Sequence, residues 1–225
     1  MALSKVNFNS MNVTPAASKA IKFNSSNNGL ETGDIGGSLV LISTTTISSG
    51  SSTVNITSGI DSTYKEYIIK AINVHPSANA QLSIHFSVDG GSNFNTNMTT
   101  TVFQSFHRED DSSTSLNYRT GDDIFNGTDE DGNTSTHATL CNTIGNDAKM
   151  CGESIIHLFN PSSTTFVKHF MARTQTYMDR DTTQLASTDN YCAGYVNTTS
   201  AVNAVSFRMN DGNIDSGTFK LYGVS

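Results

Sequence analysis

The closing stretch of the chain, Ala201–Ser225, reads AVNAVSFRMNDGNIDSGTFKLYGVS. Val205, Phe207 and Met209 alternate with Ser206 and Arg208, and Phe219 and Leu221 alternate with Thr218, Lys220 and Tyr222. A period of two marks a strand with one buried face, because successive side chains of an extended backbone point to opposite sides. Between the two runs sits Asn210-Asp211-Gly212-Asn213, residue types that tolerate positive φ and close tight turns. The stretch therefore predicts a β-hairpin that packs as an integral strand pair, and it sets the expectation of a chain that is β to its last residue.

Working back from that end, the same signals recur. Leu39-Val40-Leu41-Ile42 and Val54-Asn55-Ile56 flank a Ser/Gly turn around Ser48-Ser49-Gly50. Tyr64–Val74 is apolar on both faces near its centre, at Ile68, Ile69, Ala71 and Ile72, which suits a central strand. Gln81–Val88 alternates most cleanly, with Leu82, Ile84, Phe86 and Val88 expected inward and Ser83, His85 and Ser87 outward. It runs into Asp89-Gly90-Gly91, read as a hairpin turn. Strand character continues at Met98–Phe106, Ile155–Phe159, Thr164–Met178 and Tyr191–Val196. That makes about ten strands with no run of helical periodicity.

Composition agrees. The chain has 225 residues, 36% of them hydrophobic, with no Trp. It holds 30 Ser, 29 Thr and 23 Asn, more than a third of the sequence, and these types disfavour helix interiors and favour turns and exposed strand faces. Many short strands around a thin two-layer core follow. The expected fold is an all-β, antiparallel two-sheet β-sandwich, jelly-roll-like, with a polar loop insertion at about 108–152; an immunoglobulin-like sandwich is the alternative. The insertion carries Glu109, Asp110, Asp111, Asp122, Asp123, Asp129, Glu130 and Asp131 against few cations, and it is the one place for a short helix. Residues 1–36 hold few large apolar side chains and two similar fragments, Val6-Asn7-Phe8-Asn9-Ser10 and Lys22-Phe23-Asn24-Ser25-Ser26. They read as an N-terminal arm, anchoring or loosely packed, ahead of a sandwich domain spanning 37–225.

Charge excludes some functions. The net charge is −7 with 13 scattered Lys and Arg, so no basic stripe exists to release counterions from a nucleic-acid backbone. No run of about 18 apolar residues is present to span a bilayer, and MALSKVNFNS lacks the apolar core of a signal peptide. Neither nucleic acid nor membrane insertion is expected. The cysteines, Cys141, Cys151 and Cys192, are odd in number and read as free thiols made in a reducing compartment, although Cys141 and Cys151 are spaced to close a loop. No Cys-x-x-Cys supports zinc.

Several short patterns then accumulate: Ser58-Gly59-Ile60-Asp61-Ser62-Thr63-Tyr64, Asn73-Val74-His75-Pro76, Phe86-Ser87-Val88-Asp89-Gly90-Gly91-Ser92, His157-Leu158-Phe159-Asn160-Pro161, Phe166-Val167-Lys168-His169-Phe170, Gly194-Tyr195-Val196-Asn197-Thr198-Thr199 and Ile214-Asp215-Ser216-Gly217-Thr218-Phe219-Lys220-Leu221-Tyr222-Gly223. As a set, over about residues 38–225, they resemble a family of β-rich virion structural proteins of tailed bacteriophages infecting marine bacteria. The resemblance implies a virion component, either a capsid decoration protein or a tail- or fibre-associated one. It brings no catalytic residues with it.

The chemistry-bearing residues fit that expectation. The six histidines, His75, His85, His107, His137, His157 and His169, have neither HExxH nor zinc-finger spacing. Asp215-Ser216-Gly217 lacks the strand-to-helix elbow of a nucleophilic serine and reads as turn chemistry. The insertion's carboxylates lie in a polar loop without the apolar pocket that a glycosidase acid requires. Asp129 and Asp131 are weak calcium candidates, with oxygen density but no EF-hand pattern. Tyr118, Phe125, Tyr177 and Tyr191 flank loops and are the candidate sugar or receptor contacts. The expected function is a non-enzymatic virion structural protein without cofactors. It is made in the host cytoplasm and assembled as a homo-oligomer, a trimer by expectation, with other virion proteins as partners. The alternative is a carbohydrate-binding module for a host-surface glycan.

Overall fold

The computed structural model of the chain describes residues 13–14, 19–34, 38–129, 131–132, 136–179 and 184–225. Two compact units emerge, residues 1–38 and 39–225. In the first, β1 (Lys19–Phe23) and β2 (Leu30–Asp34) form an antiparallel hairpin with Lys19 opposite Asp34 and Phe23 opposite Leu30. Asn24 organises its turn, accepting from the Asn28 backbone N–H at 3.1 Å. The stretch read as an arm thus carries a hairpin; its Val6–Ser10 fragment lies outside the described residues.

The second unit is a two-sheet antiparallel sandwich. Its strands are β3 (Leu39–Ile47), β4 (Val54–Ile56), β5 (Glu66–Pro76), β6 (Leu82–Ser87), β7 (Met98–Arg108), β8 (Thr114–Tyr118), β9 (His137–Thr139), β10 (Gly152–Phe159), β11 (Lys168–Asp179), β12 (Leu185–Val196), β13 (Ala204–Met209) and β14 (Ile214–Val224). One sheet runs β3-β14-β5-β10-β11-β12-β7-β8 and the other β4-β13-β6-β9.

The order becomes simple when β7, β8, β11 and β12 are set aside. The remaining eight strands pair outermost with outermost and inward from there: β3 with β14, β4 with β13, β5 with β10, β6 with β9. This is one long antiparallel ribbon rolled into two sheets, the jelly roll. Two inserted hairpins, β7–β8 and β11–β12, add to the β10 edge and join each other through β12 and β7. They double one sheet in width.

The rolled ribbon corrects two expectations. β13 and β14 are not a hairpin, since β13 lies in the four-stranded sheet and β14 in the eight-stranded one. Asn210–Asn213 is the corner where the ribbon passes from sheet to sheet, with Gly212 at φ 66°. Neighbouring crossings bind it: Ser77 N–H donates to the Asn213 carbonyl at 3.0 Å, and Ser51 bridges Ile214. Likewise Asp89-Gly90-Gly91 joins β6 to β7 in different sheets. Asp89 holds that turn by accepting from the Asn93 side chain at 2.7 Å and its backbone N–H at 2.9 Å. Turn chemistry specifies that the chain reverses, but not whether the two arms pair or stack.

β6 brings a third correction. Ser83, His85 and Ser87 are buried along with Leu82, Ile84 and Phe86, whereas Val88 is exposed. The 90–97 segment folds back along this strand: His85 hydrogen-bonds the Phe94 backbone, and Thr96 Oγ1 donates to the Phe86 carbonyl at 3.2 Å. β5 is central as expected, between β14 and β10.

The core between the sheets contains Phe86 against Phe170 (5.1 Å between ring centroids) and Phe207 against Phe219 (4.9 Å). Under the added strands the interior turns polar. Ser154 and Thr174 hydroxyls pair at 2.8 Å, Thr176 and Thr188 at 2.6 Å, and Asn190 Nδ2 donates to Thr188 Oγ1 at 2.9 Å. A small part of the Ser/Thr/Asn content thus lies inside, where it forms a hydrogen-bonded seam, while most of the rest is on turns and exposed or half-exposed strand faces as expected. Part of the 108–152 insertion covers the seam: Thr176 Oγ1 donates to the Thr143 carbonyl and Asn142 N–H to Asn190 Oδ1. The described part of the insertion also contains β8, β9 and a single 3-10 turn at Thr120–Asp122.

Candidate functional site

The two inserted hairpins, together with the neighbouring β10, present a broad sheet face to solvent. Their outward residues follow from strand alternation: Ile155, His157 and Phe159 on β10; His169, Met171, Arg173, Gln175 and Tyr177 on β11; Tyr191 and Tyr195 on β12; Phe103 on β7. Register then lines up a row across five strands: Ile155, Arg173, Tyr191, Phe103, Tyr118.

Within the row the Tyr191 and Phe103 rings stack at 4.7 Å with 9° between planes, and the Arg173 guanidinium lies 5.3 Å over Tyr191. Arg173 and Phe103 come from the strands on either side of Tyr191, so both faces of that ring are occupied. Asp189 fixes the guanidinium with a forked pair of contacts, Nε at 3.0 Å and Nη2 at 2.7 Å, which push the Arg173 pKa up further. Around the row, Ile155 is 46% exposed, Met171 53% and Leu116 72%. Two shallow hollows of about 420 and 370 Å³ flank Met171, one against Ile155 and Tyr191 and the other against His169 and Tyr195. Such a face is suited to packing against another flat surface, because the Tyr191 ring is already stacked by its neighbours and the hollows are open.

The candidate contact residues divide. Tyr118 and Tyr191 share the row. Tyr118 is largely exposed, and its hydroxyl donates to Asp123 Oδ2. Tyr177 lies on the same face four residues along β11 from Arg173, with Lys149 Nζ 5.6 Å from its ring centre. Its phenol pKa is raised, chiefly by a hydrogen bond to Glu109. Phe125 is exposed on the loop after the 3-10 turn, paired with Thr128. No single cleft gathers all four. The sequence reading missed Phe103, Ile155, Met171 and Arg173. In the fold, strand alternation puts them on the outer face, and their meeting depends on the register between strands distant in the chain.

Asp131 is exposed and Asp129 half-buried, and Glu130 lies outside the described residues. Among the described residues, no three His, Cys, Asp or Glu side chains are grouped to share a metal ion. Asp129 acts on His137, raising its pKa against the stronger lowering by burial and Arg208.

Two other ionisable sites serve the fold. His85 stacks on His137 at 5.3 Å on the outer side of the four-stranded sheet, with Arg208 Nη2 3.5 Å from His137 Nδ1. Burial, then the charges of His137 and Arg208, lower the His85 pKa to about 4. Lys168 is fully buried, and Nζ donates to the carbonyls of Phe166 at 3.0 Å and Thr198 at 3.1 Å. Its pKa is lowered by burial. Cys141, Cys151 and Cys192 are free thiols.

No protein-family model matches the chain, and no curated protein matches it. A search of solved structures returns the structure of infectious bursal disease virus Gx strain, at 11% identity and a TM-score of 0.13, covering 91% of this chain and 44% of that one. The chain therefore spans less than half of that viral chain, and a TM-score this low carries no argument. No helix among the described residues is long and apolar enough to cross a membrane.

Proposed function

We propose that this chain is a non-enzymatic structural component of a bacteriophage particle, carried on the exterior as a capsid decoration or tail-fibre-associated protein and assembled as a homo-oligomer, with three copies the expected number. The observation that carries the reading is the widened sheet. The inserted hairpins extend the jelly roll by four strands and present the Ile155–Arg173–Tyr191–Phe103–Tyr118 row with Met171 and Leu116 exposed beside it. A contiguous exposed apolar patch of this kind marks a packing surface. The resemblance of the sequence motifs to virion structural proteins supplies the setting.

On this reading the jelly roll is a stiff spacer and the N-terminal segment is the anchor. Each contact with the particle is weak, and many copies on a repetitive surface make attachment firm. Deleting residues 1–30 is expected to abolish attachment while residues 39–225 stay folded, measured as copies per purified particle. Normal occupancy by the truncated protein sinks the anchor. Particles whose reconstruction contains no density for the chain sink the virion reading itself. The exposed Tyr118 and Phe125 rings favour the second reading, host-glycan binding, which fails if no sugar on a glycan array binds at millimolar concentration.

A further inference from the structure

Beneath the widened sheet, at one end of the polar seam, is a partly open hollow of about 120 Å³ lined in part by Gln104, Arg108, Asn117, Arg119, Asn142 and Gln184. It has the room of roughly four waters. Gln104 lies between Asn190 and Asn117 in register and is 2% exposed. Its Nε2 has no hydrogen-bond partner, and neither does the buried Nε of Arg108. Both orphaned atoms are donors, and a buried donor without an acceptor is costly.

The rest of the wall shows why protein groups leave these donors unmet. Arg108 Nη2 donates to Gln184 Oε1. Arg119 Nε donates to Asp122 Oδ2 at 2.9 Å and its Nη2 to Asn142 Oδ1 at 3.2 Å. Asp122 therefore holds Arg119 from behind, and among the described residues no carboxylate lines the hollow. Two guanidiniums and the unmet Gln104 amide therefore face the hollow, and Asp122 and Asp110 act on the two arginines from outside its wall. An occupant must be small, must bring acceptors and gains from negative charge.

We propose that this hollow binds a small oxyanion, of carboxylate or phosphate size, between Arg108 and Arg119 with the Gln104 amide as a third donor. Forked guanidinium donors match the oxygen spacing of either group. The volume is well below the roughly 300 Å³ or more of a usual small-molecule pocket.

The test follows thermal unfolding of the full chain in inorganic phosphate and, separately, in acetate, against chloride at matched ionic strength. Wild type is expected to show a saturable rise in Tm with at least one of the two anions. Gln104→Leu, which removes the donor and keeps the bulk, is expected to weaken that response roughly ten-fold or more. Arg108→Lys, which keeps the charge and removes Nε–H, does the same and serves if Gln104→Leu does not fold. A rise with phosphate alone assigns a tetrahedral oxyanion, and a rise with acetate assigns a carboxylate. No saturable rise with either anion overturns the site. So does an equal response in wild type and variants, which is the general salting effect of phosphate on any fold.

Discussion

Phe207 and Phe219 meet ring to ring, 4.9 Å between centroids at 39°, although the strands that carry them lie in different sheets. A hairpin closed by Asn210–Asn213 would set Met209 opposite Ile214 and Phe207 opposite Ser216. By the two-residue period Phe219 and Leu221 would then fall on the other face. The rolled ribbon removes this conflict, because a corner turns the inner face of β13 toward the inner face of β14.

The pair yields a direct prediction. Phe207→Ala and Phe219→Ala each cost about 3–5 kcal/mol, since both rings are fully buried. A double-mutant cycle in urea should give a coupling of about 0.5–1.5 kcal/mol. Coupling near zero would mean the rings sit on opposite faces, as the hairpin requires.

Removing residues 214–225 takes away β14, the strand between β3 and β5. Both neighbours then lose their hydrogen-bond ladder on one side, and Leu221 and Phe219 leave the core. The truncated chain is expected to show no cooperative urea transition. A sharp transition with a slope near that of the full chain would show that the last strand is dispensable.

Acid should destabilise the fold through His85. Its folded-state pKa of about 4 lies below the ordinary value of 6.5. The unfolded chain therefore binds more protons between those values, and stability present above about pH 6.5 is lost as pH falls toward 4. The full shift is worth about 3 kcal/mol. His137 is lowered in the same sense, with Arg208 adding to the repulsion and Asp129 opposing it. The urea midpoint of wild type should fall between pH 7 and pH 5, above most carboxylate titration, and that of His85→Gln should fall less. Parallel profiles would remove His85 as the cause.

The thiols give a fourth. Cys141 and Cys192 are fully buried, and burial pushes both up to about 12, so neither forms the reactive thiolate near neutral pH. Cys151 is partly exposed and raised less. A thiol reagent at pH 7.5 should label at most Cys151 in the native chain and all three in urea. Rapid native labelling of Cys192 would contradict the packing under the widened sheet.

The sequence disclosed the fold in proportion to how local each signal is. The all-β class, the central place of β5 and the alternation of β13 and β14 are written in a few consecutive residues. The parity between Phe207 and Phe219 across a four-residue loop already spoke against the closing hairpin. What lay beyond reach was non-local. Whether His85 faces water depends on the 90–97 segment folding back over it. The buried Thr176–Thr188 pair looks the same in sequence as an exposed one. The outer row needs the register of β12 against β7, residues some ninety positions apart, and no composition or periodicity carries that.

The outer row supports the last prediction. Ile155 and Met171 extend outward from the widened sheet, 46% and 53% exposed, and neither has a part in the core between the sheets. Glutamate at either position should therefore change the stability of an isolated copy by no more than about 0.5 kcal/mol. If this face packs against a second copy, the same charge must be desolvated against an apolar surface, and association is lost. Sedimentation of wild type is expected to give a concentration-dependent oligomer, and of Ile155→Glu or Met171→Glu a monomer with an unaltered urea midpoint at low protein concentration. An unchanged oligomer in both variants would move the contact elsewhere. A monomeric wild type would leave the face to the particle, where the same variants should lower the number of copies bound. Variants that bind normally there as well would remove the row from any role in assembly.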